Sequence, residues 1–261
     1  MEKIMKKTMK QNVYLLFMGF LFVGIVAQIH ASSSAAQPLQ TRTAKYTFED
    51  LKGPSQDSKE KKSPMINLSD ESTISVALRL ANTFQNRGEN KRIAVINFAN
   101  AYYPGGAQEG SLRRATTLES ELQQMLAADQ YPIQDRELFI TERGLVVRDD
   151  EDLELEKPVE LDIISVPAVD LRGSVLSDQE YQDLMYAKIK GQIQAAKMIG
   201  ADVLVAGAFG CGVFGGDPTV VARLYQKAIQ EVGNNLSQIH FAIYGGGENL
   251  VTFEKTFKSN K

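Results

Sequence analysis

The chain of 261 residues is long enough for one good-sized domain with additional segments, because typical domains take about 100–200 residues. Its 29 basic and 32 acidic residues are mixed along the sequence and give a formal charge of −3, which excludes the strongly basic surface that duplex nucleic acid requires. A single cysteine excludes an internal disulfide framework, and together with two histidines it is too few for a tetrahedral zinc site.

The N-terminal segment has the three-part layout of a secretory signal peptide. Four lysines within the first ten residues precede an uncharged apolar run at 13–27 and then a stretch rich in alanine and serine. We expect residues 1–31 to be a signal peptide and the protein to be exported, either periplasmic or secreted. Cleavage after Ala31 is expected, with Ala27, Ala35 and Ala36 as alternatives. The apolar run is shorter than the roughly 20 residues of a spanning helix, so an uncleaved N-terminal membrane anchor is the second interpretation.

The segment that follows is polar and contains scattered prolines and a charged cluster at 59–62. This composition is typical of a solvated segment, and it predicts a polar linker or arm over residues 32–71. Helical spacing of apolar residues then begins at 76–84. We therefore expect the globular domain to span residues 72–258.

Within that domain, four short apolar runs predict buried strands, at 93–98, 163–166, 203–206 and 239–243. Amphipathic segments at 178–199 and 218–232 alternate with them, and the first opens with a Ser177-x-x-Glu180 capping box. Residues 139–157 break this alternation and indicate an insertion or a hairpin. The pattern predicts an α/β fold with a mainly parallel sheet and helices on both faces, and ligands of such sheets bind beyond the carboxyl ends of the strands.

The third predicted strand runs into the glycine-rich segment 207–216, and Asp217 and Pro218 then suit the start of a helix. Glycines permit positive φ and close approach of a ligand, so successive N–H groups of such a loop can converge on a diphosphate. The alternative is a tight strand-to-helix turn whose glycines serve geometry alone.

Five ordered blocks of this sequence resemble the microbial type of poly(ADP-ribose) glycohydrolase, a branch of the macrodomain superfamily. They are VINFANAYYPGG at 95–106, AQEGSLRRATTL at 107–118, VVRDD at 146–150, DIISVPAVDLR at 162–172 and GAFGCGVFGGDPTVVA at 207–222. The resemblance implies a macrodomain-like fold with three layers, α/β/α, in which a mixed, mainly parallel sheet lies between helices. ADP-ribose is expected in a cleft across the strand ends. The partner it implies is ADP-ribose or an ADP-ribosylated protein.

The resemblance also implies which residues bind the ligand. Asn100 is expected at the distal ribose, Pro104 to Gly106 near that ribose and the phosphates, and Gly210 to Gly215 around the diphosphate. For Asn97 and Asn100 the alternative is an ordinary turn residue at a strand end. The full set of expected ligand-binding residues is Asn97, Asn100, Pro104, Gly105, Gly106, Gln108, Gly210, Cys211, Gly212, Val213, Phe214 and Gly215.

The family's catalytic signature is a glycine triplet, a spacer and then Gln-Glu-Glu. Here the spacer is missing and the second glutamate is replaced by Gly110. Cleavage of a ribose–ribose bond needs a carboxyl that protonates the leaving oxygen and activates water, and glycine supplies neither. Glu109 is the candidate catalytic residue that remains. Against it, the family's first glutamate positions the ribose, and a carboxylate near a helix start is stabilised as the anion. The alternative function is a catalytically inactive ADP-ribose-binding module.

Other polar residues carry weaker signals. Arg113 and Arg114 are candidates for phosphate contacts, although basic residues on a helix are more often only solvated. The acidic run 149–152 is more typical of a solvated turn than of a divalent-ion site. Cys211 and His240 are expected to be structural. We expect no metal and no cofactor, no stable membrane span after signal cleavage, and a monomer.

Overall fold

Seven strands form one sheet in the computed structural model, which describes residues 40–52 and 62–258. Their spatial order is first, fourth, fifth, third, sixth, seventh and second along the chain. The strands are β1 (Arg42–Thr47), β2 (Met65–Ser69), β3 (Ile93–Ala99), β4 (Glu137–Arg148), β5 (Glu154–Pro167), β6 (Val203–Ala206) and β7 (Gln238–Ala242). β1, β4 and β5 pair antiparallel, whereas the pairs β5–β3, β3–β6, β6–β7 and β7–β2 are parallel. The predicted mixed, mainly parallel sheet is confirmed.

Helices cover both faces of this sheet. The described residues contain α1 (Thr73–Asn86), α2 (Ala107–Ala115), α3 (Leu118–Ala127), α4 (Asp178–Met198), α5 (Pro218–Val232) and α6 (Gly247–Lys258). The capping box at Ser177 and Glu180 is present at the start of α4. At the start of α5, the Asp217 carboxylate accepts a hydrogen bond from the Thr219 N–H at 2.7 Å, and Pro218 occupies the first turn. Both helix starts therefore form as the sequence predicts.

The core divides into two apolar layers because strand side chains alternate between the faces of the sheet. On β3, Ile96 packs on the side of α4, α5 and α6, whereas Val95 packs on the side of α1, α2 and α3. The same alternation holds for Leu204 and Val205 on β6. This is the expected three-layer α/β/α arrangement, with strands buried on both faces.

The structure differs from the expected polar arm over residues 32–71, because β1 and β2 lie within that range. Both strands are at the outer edges of the sheet, where one side of each strand stays open and polar side chains are tolerated. On β1 the Thr43 hydroxyl lies 2.8 Å from the hydroxyl of Thr141 and donates to the Glu121 carboxylate at 2.8 Å. The globular part thus begins before position 72, and the polar composition reflects an edge position.

The remaining expectations on architecture concern the hairpin and the N-terminus. Residues 139–157 form part of the long antiparallel hairpin of β4 and β5. The expected signal peptide at 1–31 lies outside the described residues, all of which fall within one compact unit, Leu39–Lys261. No helix among the described residues is long and apolar enough to cross a membrane.

Candidate functional site

A cleft of about 890 Å³ opens at the carboxyl ends of the parallel strands. It is lined where β3, β5, β6 and β7 give way to loops, and by the first turns of α1 and α2. This is the edge at which ligands of open α/β sheets bind. Of the residues expected to bind a ligand, those that line the cleft are Asn100, Gly105, Gly106, Gln108, Gly210, Gly212, Val213 and Phe214.

The glycine-rich loop between β6 and α5 forms one wall of the cleft. Among the described residues, the backbone N–H groups of Gly210, Gly212, Val213 and Phe214 have no hydrogen-bond acceptor, and all four residues line the cleft. Consecutive N–H groups left open in such a loop suit an anionic ligand, and a diphosphate matches them.

Two glycines of this loop have conformational reasons to be glycine. Gly210 has φ of +78°, a left-handed conformation that disfavours other residues, and Gly207 is so close to its neighbours that a Cβ there would lie 2.8 Å from the Ala242 carbonyl oxygen. Gly212 is different, because a Cβ at this position would meet no atom within 4 Å. The loop therefore combines glycines required by geometry with an exposed one that faces the ligand space.

Asn97 and Glu109 lie beneath the opposite wall and are fully buried. The Asn97 side-chain amide donates to the Glu109 carboxylate at 2.9 Å and to the Ser165 hydroxyl at 3.0 Å. The other oxygen of that carboxylate accepts from the Gly105 N–H at 2.5 Å and, more weakly, from the Asn100 N–H at 3.5 Å. Glu109 thus fixes the turn that follows β3, and neither it nor Asn97 lines the cleft.

Burial raises the pKa of the Glu109 carboxyl above its usual range, although the N–H donors and the Arg113 charge oppose this. The sequence argument named a stabilisation of the anion that opposes a raised pKa; local donors do oppose the rise here, but desolvation outweighs them. A raised pKa suits a general acid, but a fully buried carboxyl cannot reach a bound ligand without a change in the turn.

Gln108 and Asn100 combine contacts to the backbone with a position on the cleft. The Gln108 amide oxygen accepts from the Phe98 N–H at 2.8 Å, while its amide nitrogen donates to the Ile96 carbonyl at 2.9 Å. The Asn100 side chain accepts from the Tyr102 N–H at 2.8 Å, so it acts as a turn residue as well. Both side chains hold the segment between β3 and α2 in place.

Gly110 lies in the first turns of α2, between the cleft-lining residues Ala107 and Ser111. A Cβ at this position would meet only a guanidinium nitrogen of Arg114, at 3.5 Å, which is ordinary van der Waals contact. A side chain at position 110 would thus have space, so crowding does not require glycine here.

The remaining expected residues do not line the cleft. Pro104 presents its carbonyl to Arg113 at 3.1 Å, and Gly215 has φ of +77° at the end of the glycine-rich loop. Cys211 is partly buried, and burial raises the pKa of its thiol to about 12. Its role is therefore that of a small packing side chain, as expected, because a nucleophilic cysteine needs a lowered pKa.

The acidic turn at 149–152 is stabilised by its own backbone. The Asp149 carboxylate accepts from the N–H groups of Glu151 and Leu153 at 3.0 and 2.9 Å. Asp150 instead accepts from the hydroxyls of Ser72 and Ser75 at the start of α1 and lines the cleft. Within 40–52 and 62–258, no group of three acidic, histidine or cysteine residues is suited to hold a metal ion.

Several residues on the cleft were not singled out as ligand-binding from the sequence. Arg172 is paired with Asp170 at 2.6 Å and its guanidinium lies 5.2 Å from the centre of the Phe214 ring. Tyr103 and Tyr244 are exposed at the cleft. The block 162–172 and the glycines at 245–247 mark these positions, but sequence alone does not reveal which side chains turn toward the cleft.

Comparison with known proteins connects this cleft to a family. Residues 24–146 match the family model for the catalytic domain of microbial-type poly(ADP-ribose) glycohydrolase (PARG). The predicted resemblance to the microbial-type PARG family is confirmed. The matched region includes the segment from Asn97 to Gly110.

Solved bacterial PARG structures extend the match over most of the chain. The PARG of Thermomonospora curvata is 25% identical, with a TM-score of 0.69 over 82% of this chain and 85% of its own. The PARG of Deinococcus radiodurans in complex with ADP-ribose is also 25% identical, with a TM-score of 0.68 over 84% of this chain and 95% of its own. No curated protein sequence matches the chain significantly.

Proposed function

We propose that this protein binds ADP-ribose, or ADP-ribose attached to another molecule, in the cleft at the strand ends, and that it does not hydrolyse it. The bacterial PARG with ADP-ribose bound supports the choice of ligand. The observation that carries the loss of hydrolysis is the pair of neighbouring positions 109 and 110: one carboxyl is fully buried, and the other is absent.

The diphosphate is expected at the glycine-rich loop, where four open N–H groups line the cleft. The distal ribose is expected between Asn100 and Gly106, beside α2. In this orientation the scissile bond of a conjugate faces Gly110. Hydrolysis there would require a carboxyl to protonate the leaving oxygen, and the loss of such a group typically lowers the rate by about 10²–10⁴.

Hydrolysis driven by Glu109 is the second candidate function, because burial raises the pKa of this carboxyl in the direction that a general acid needs. It requires that the Gly105–Glu109 contact opens and that the carboxyl swings into the cleft. The Glu109→Gln variant separates the two functions. On the binding proposal, release of ADP-ribose from poly(ADP-ribose) is at background for both forms; release by the native chain that disappears in Glu109→Gln would establish the second candidate.

The binding proposal is tested by calorimetric titration of ADP-ribose, with ADP as the comparison ligand. ADP carries the diphosphate but lacks the distal ribose, so the Asn100–Gly106 segment is expected to give ADP-ribose the higher affinity. Equal affinity for both ligands would remove this segment from the binding site, and no affinity for either would leave the protein with the family fold and without its ligand.

We also propose that the protein is exported, on the basis of the lysine-rich start and the apolar run at 13–27. N-terminal sequencing of the protein recovered from the native cells is expected to begin at Ser32. An intact N-terminus in a membrane fraction would support the anchor instead.

A further inference from the structure

The end of the cleft beside α2 carries a cation without a carboxylate partner. Among the described residues, Arg172 lines the cleft and pairs with Asp170, and Arg113 on α2 pairs with Glu119. Arg114 is exposed, and among the described residues it contacts no carboxylate. Within residues 40–52 and 62–258, the only hydrogen bond of its side chain runs from a guanidinium nitrogen to the Ser111 hydroxyl, at 3.3 Å, and Ser111 lines the cleft.

The free cation is a consequence of the glycine at position 110. Residues four apart on a helix lie on the same face, and an acidic residue there pairs with a basic residue four positions later. A guanidinium nitrogen of Arg114 lies 3.5 Å from the place of a Cβ on Gly110, so a glutamate at this position would be its natural partner. Glycine removes the partner and leaves a positive charge where the family signature has a negative one.

We propose that Arg114 and Ser111 form a subsite for the first phosphate beyond the bound ADP-ribose, which makes the protein a binder of ADP-ribose polymer in preference to a single unit. This rests on the proposed function, which puts the distal ribose beside α2. Whatever is attached to that ribose must leave the cleft past Gly110, Ser111 and Arg114. In a polymer, the attached group is another adenosine ribose, and its diphosphate is the nearest strong anion.

The absence of a negative charge at position 110 favours binding of the next phosphate, as the Arg114 contact does. A glutamate at position 110 would repel the diphosphate of the next unit and would also neutralise Arg114. Gly110 removes both effects, and a guanidinium suits a phosphate because its N–H groups can pair with two oxygens. The substitution that removes hydrolysis therefore also favours retention of the polymer.

The experiment compares ADP-ribose with a purified ADP-ribose trimer by calorimetric titration into the full chain. The ratio of the two affinities is measured for the native chain, Arg114→Gln, Arg114→Lys and the control Arg223→Gln. Arg223 is an exposed arginine on α5 that does not line the cleft. A trimer offers more than one unit to the binding site, which raises its apparent affinity. This factor is the same for every variant and cancels when their ratios are compared.

We expect Arg114→Gln to lower the ratio of trimer affinity to ADP-ribose affinity by about threefold to tenfold, because one solvent-facing charged contact is lost. The affinity for ADP-ribose itself should not change. Arg114→Lys should retain part of the ratio, and Arg223→Gln all of it. The loss of one phosphate contact should also reduce the slope of log affinity for the trimer against log salt concentration by about 0.7–0.9.

Three outcomes would overturn the subsite. In the first, the ratio of trimer affinity to ADP-ribose affinity is the same in Arg114→Gln and Arg223→Gln. In the second, Arg114→Gln lowers the affinity for ADP-ribose as much as the affinity for the trimer, which would assign Arg114 to the bound unit itself. A mono-ADP-ribosylated peptide that responds to Arg114→Gln as the trimer does would assign the contact to a protein acceptor. Absence of ADP-ribose binding in the native chain is a different result, because it contradicts the proposed function and not the subsite alone.

Discussion

The two walls of the cleft differ in the groups that they present. The glycine-rich loop between β6 and α5 keeps its close approaches, its left-handed glycine and its open N–H groups. The segment between β3 and α2 has the buried Asn97–Glu109 contact and a glycine at position 110, where the resemblance predicts a second glutamate. On the proposed function, the groups expected to bind the diphosphate and those expected to act on the glycosidic bond come from segments about a hundred residues apart. One set can therefore be lost while the other is retained.

The largest expected effect comes from restoring the missing carboxyl. Gly110→Glu should raise release of ADP-ribose from poly(ADP-ribose) by about 10²–10⁴ over the native chain, because it returns a general acid and base to a position that has space for it. The matched control is Gly110→Gln, which has the same size and no acid. If Gly110→Glu binds ADP-ribose and still releases nothing, the missing spacer has also removed something that catalysis needs.

The opposite wall is tested by Gly212→Glu, which places a negative charge where the diphosphate is expected. The affinity for ADP-ribose should fall by more than about 100-fold, since a like-charge contact with the bound ligand costs several kcal/mol. A Cβ at position 212 meets nothing within 4 Å, so the melting temperature should not change. Gly212→Ala is the control that retains binding; affinity preserved in the glutamate variant would remove the loop from the ligand site.

Stability distinguishes the two glycines that lie on the two walls. At Gly207 a Cβ would lie 2.8 Å from the Ala242 carbonyl oxygen and 3.0 Å from the Phe98 ring, so Gly207→Ala should cost about 1–3 kcal/mol. Gly110→Ala has space within a helix and should stabilise by about 0.5–1 kcal/mol. Thermal unfolding measures both. If both variants were stabilised, the neighbours of Gly207 would have moved to make room for the added Cβ.

The smallest expected effect lies away from both walls, at His240 on β7. Burial, with a smaller contribution from Arg79, holds the pKa of His240 below its ordinary value of 6.5, while Glu71 opposes this. The unfolded chain thus binds the proton more readily, and the stability that the neutral imidazole contributes is present above pH 6.5 and lost as the pH falls from there toward the lowered pKa. Between pH 7.5 and 5.5, the melting temperature of His240→Gln should fall by fewer degrees than that of the native chain. The affinity for ADP-ribose at pH 7.5 should be unchanged. An equal loss in both forms would mean that other groups dominate the acid response.

The sequence predicts the central strands well because their residues are buried on both faces. β3, β5, β6 and β7 carry short, mostly apolar runs, and the helices after β5 and β6 start at caps whose side chains are the expected ones. The edge strands β1 and β2 are missed for the corresponding reason: one open side tolerates the polar residues that also occur in linkers.

The site is predicted in part. The glycines of the loop after β6 are visible in the sequence. The burial of Glu109 is not, because its carboxylate is held by Asn97, twelve residues earlier, which in turn is bonded to Ser165 on the neighbouring strand β5. Pairings across strands carry no local sequence signal. The unpaired state of Arg114 is likewise visible only when the positions of all nearby carboxylates are known.

The central claim is that this protein binds ADP-ribose without turning its polymer over, and one sample tests both halves. The native chain is titrated with ADP-ribose in a calorimeter, and the same preparation is then incubated with poly(ADP-ribose) while free ADP-ribose is measured by chromatography. We predict saturable binding with one site and release no faster than in buffer. Binding accompanied by release would contradict the claim, because a group in this cleft would then supply the acid that position 110 lacks.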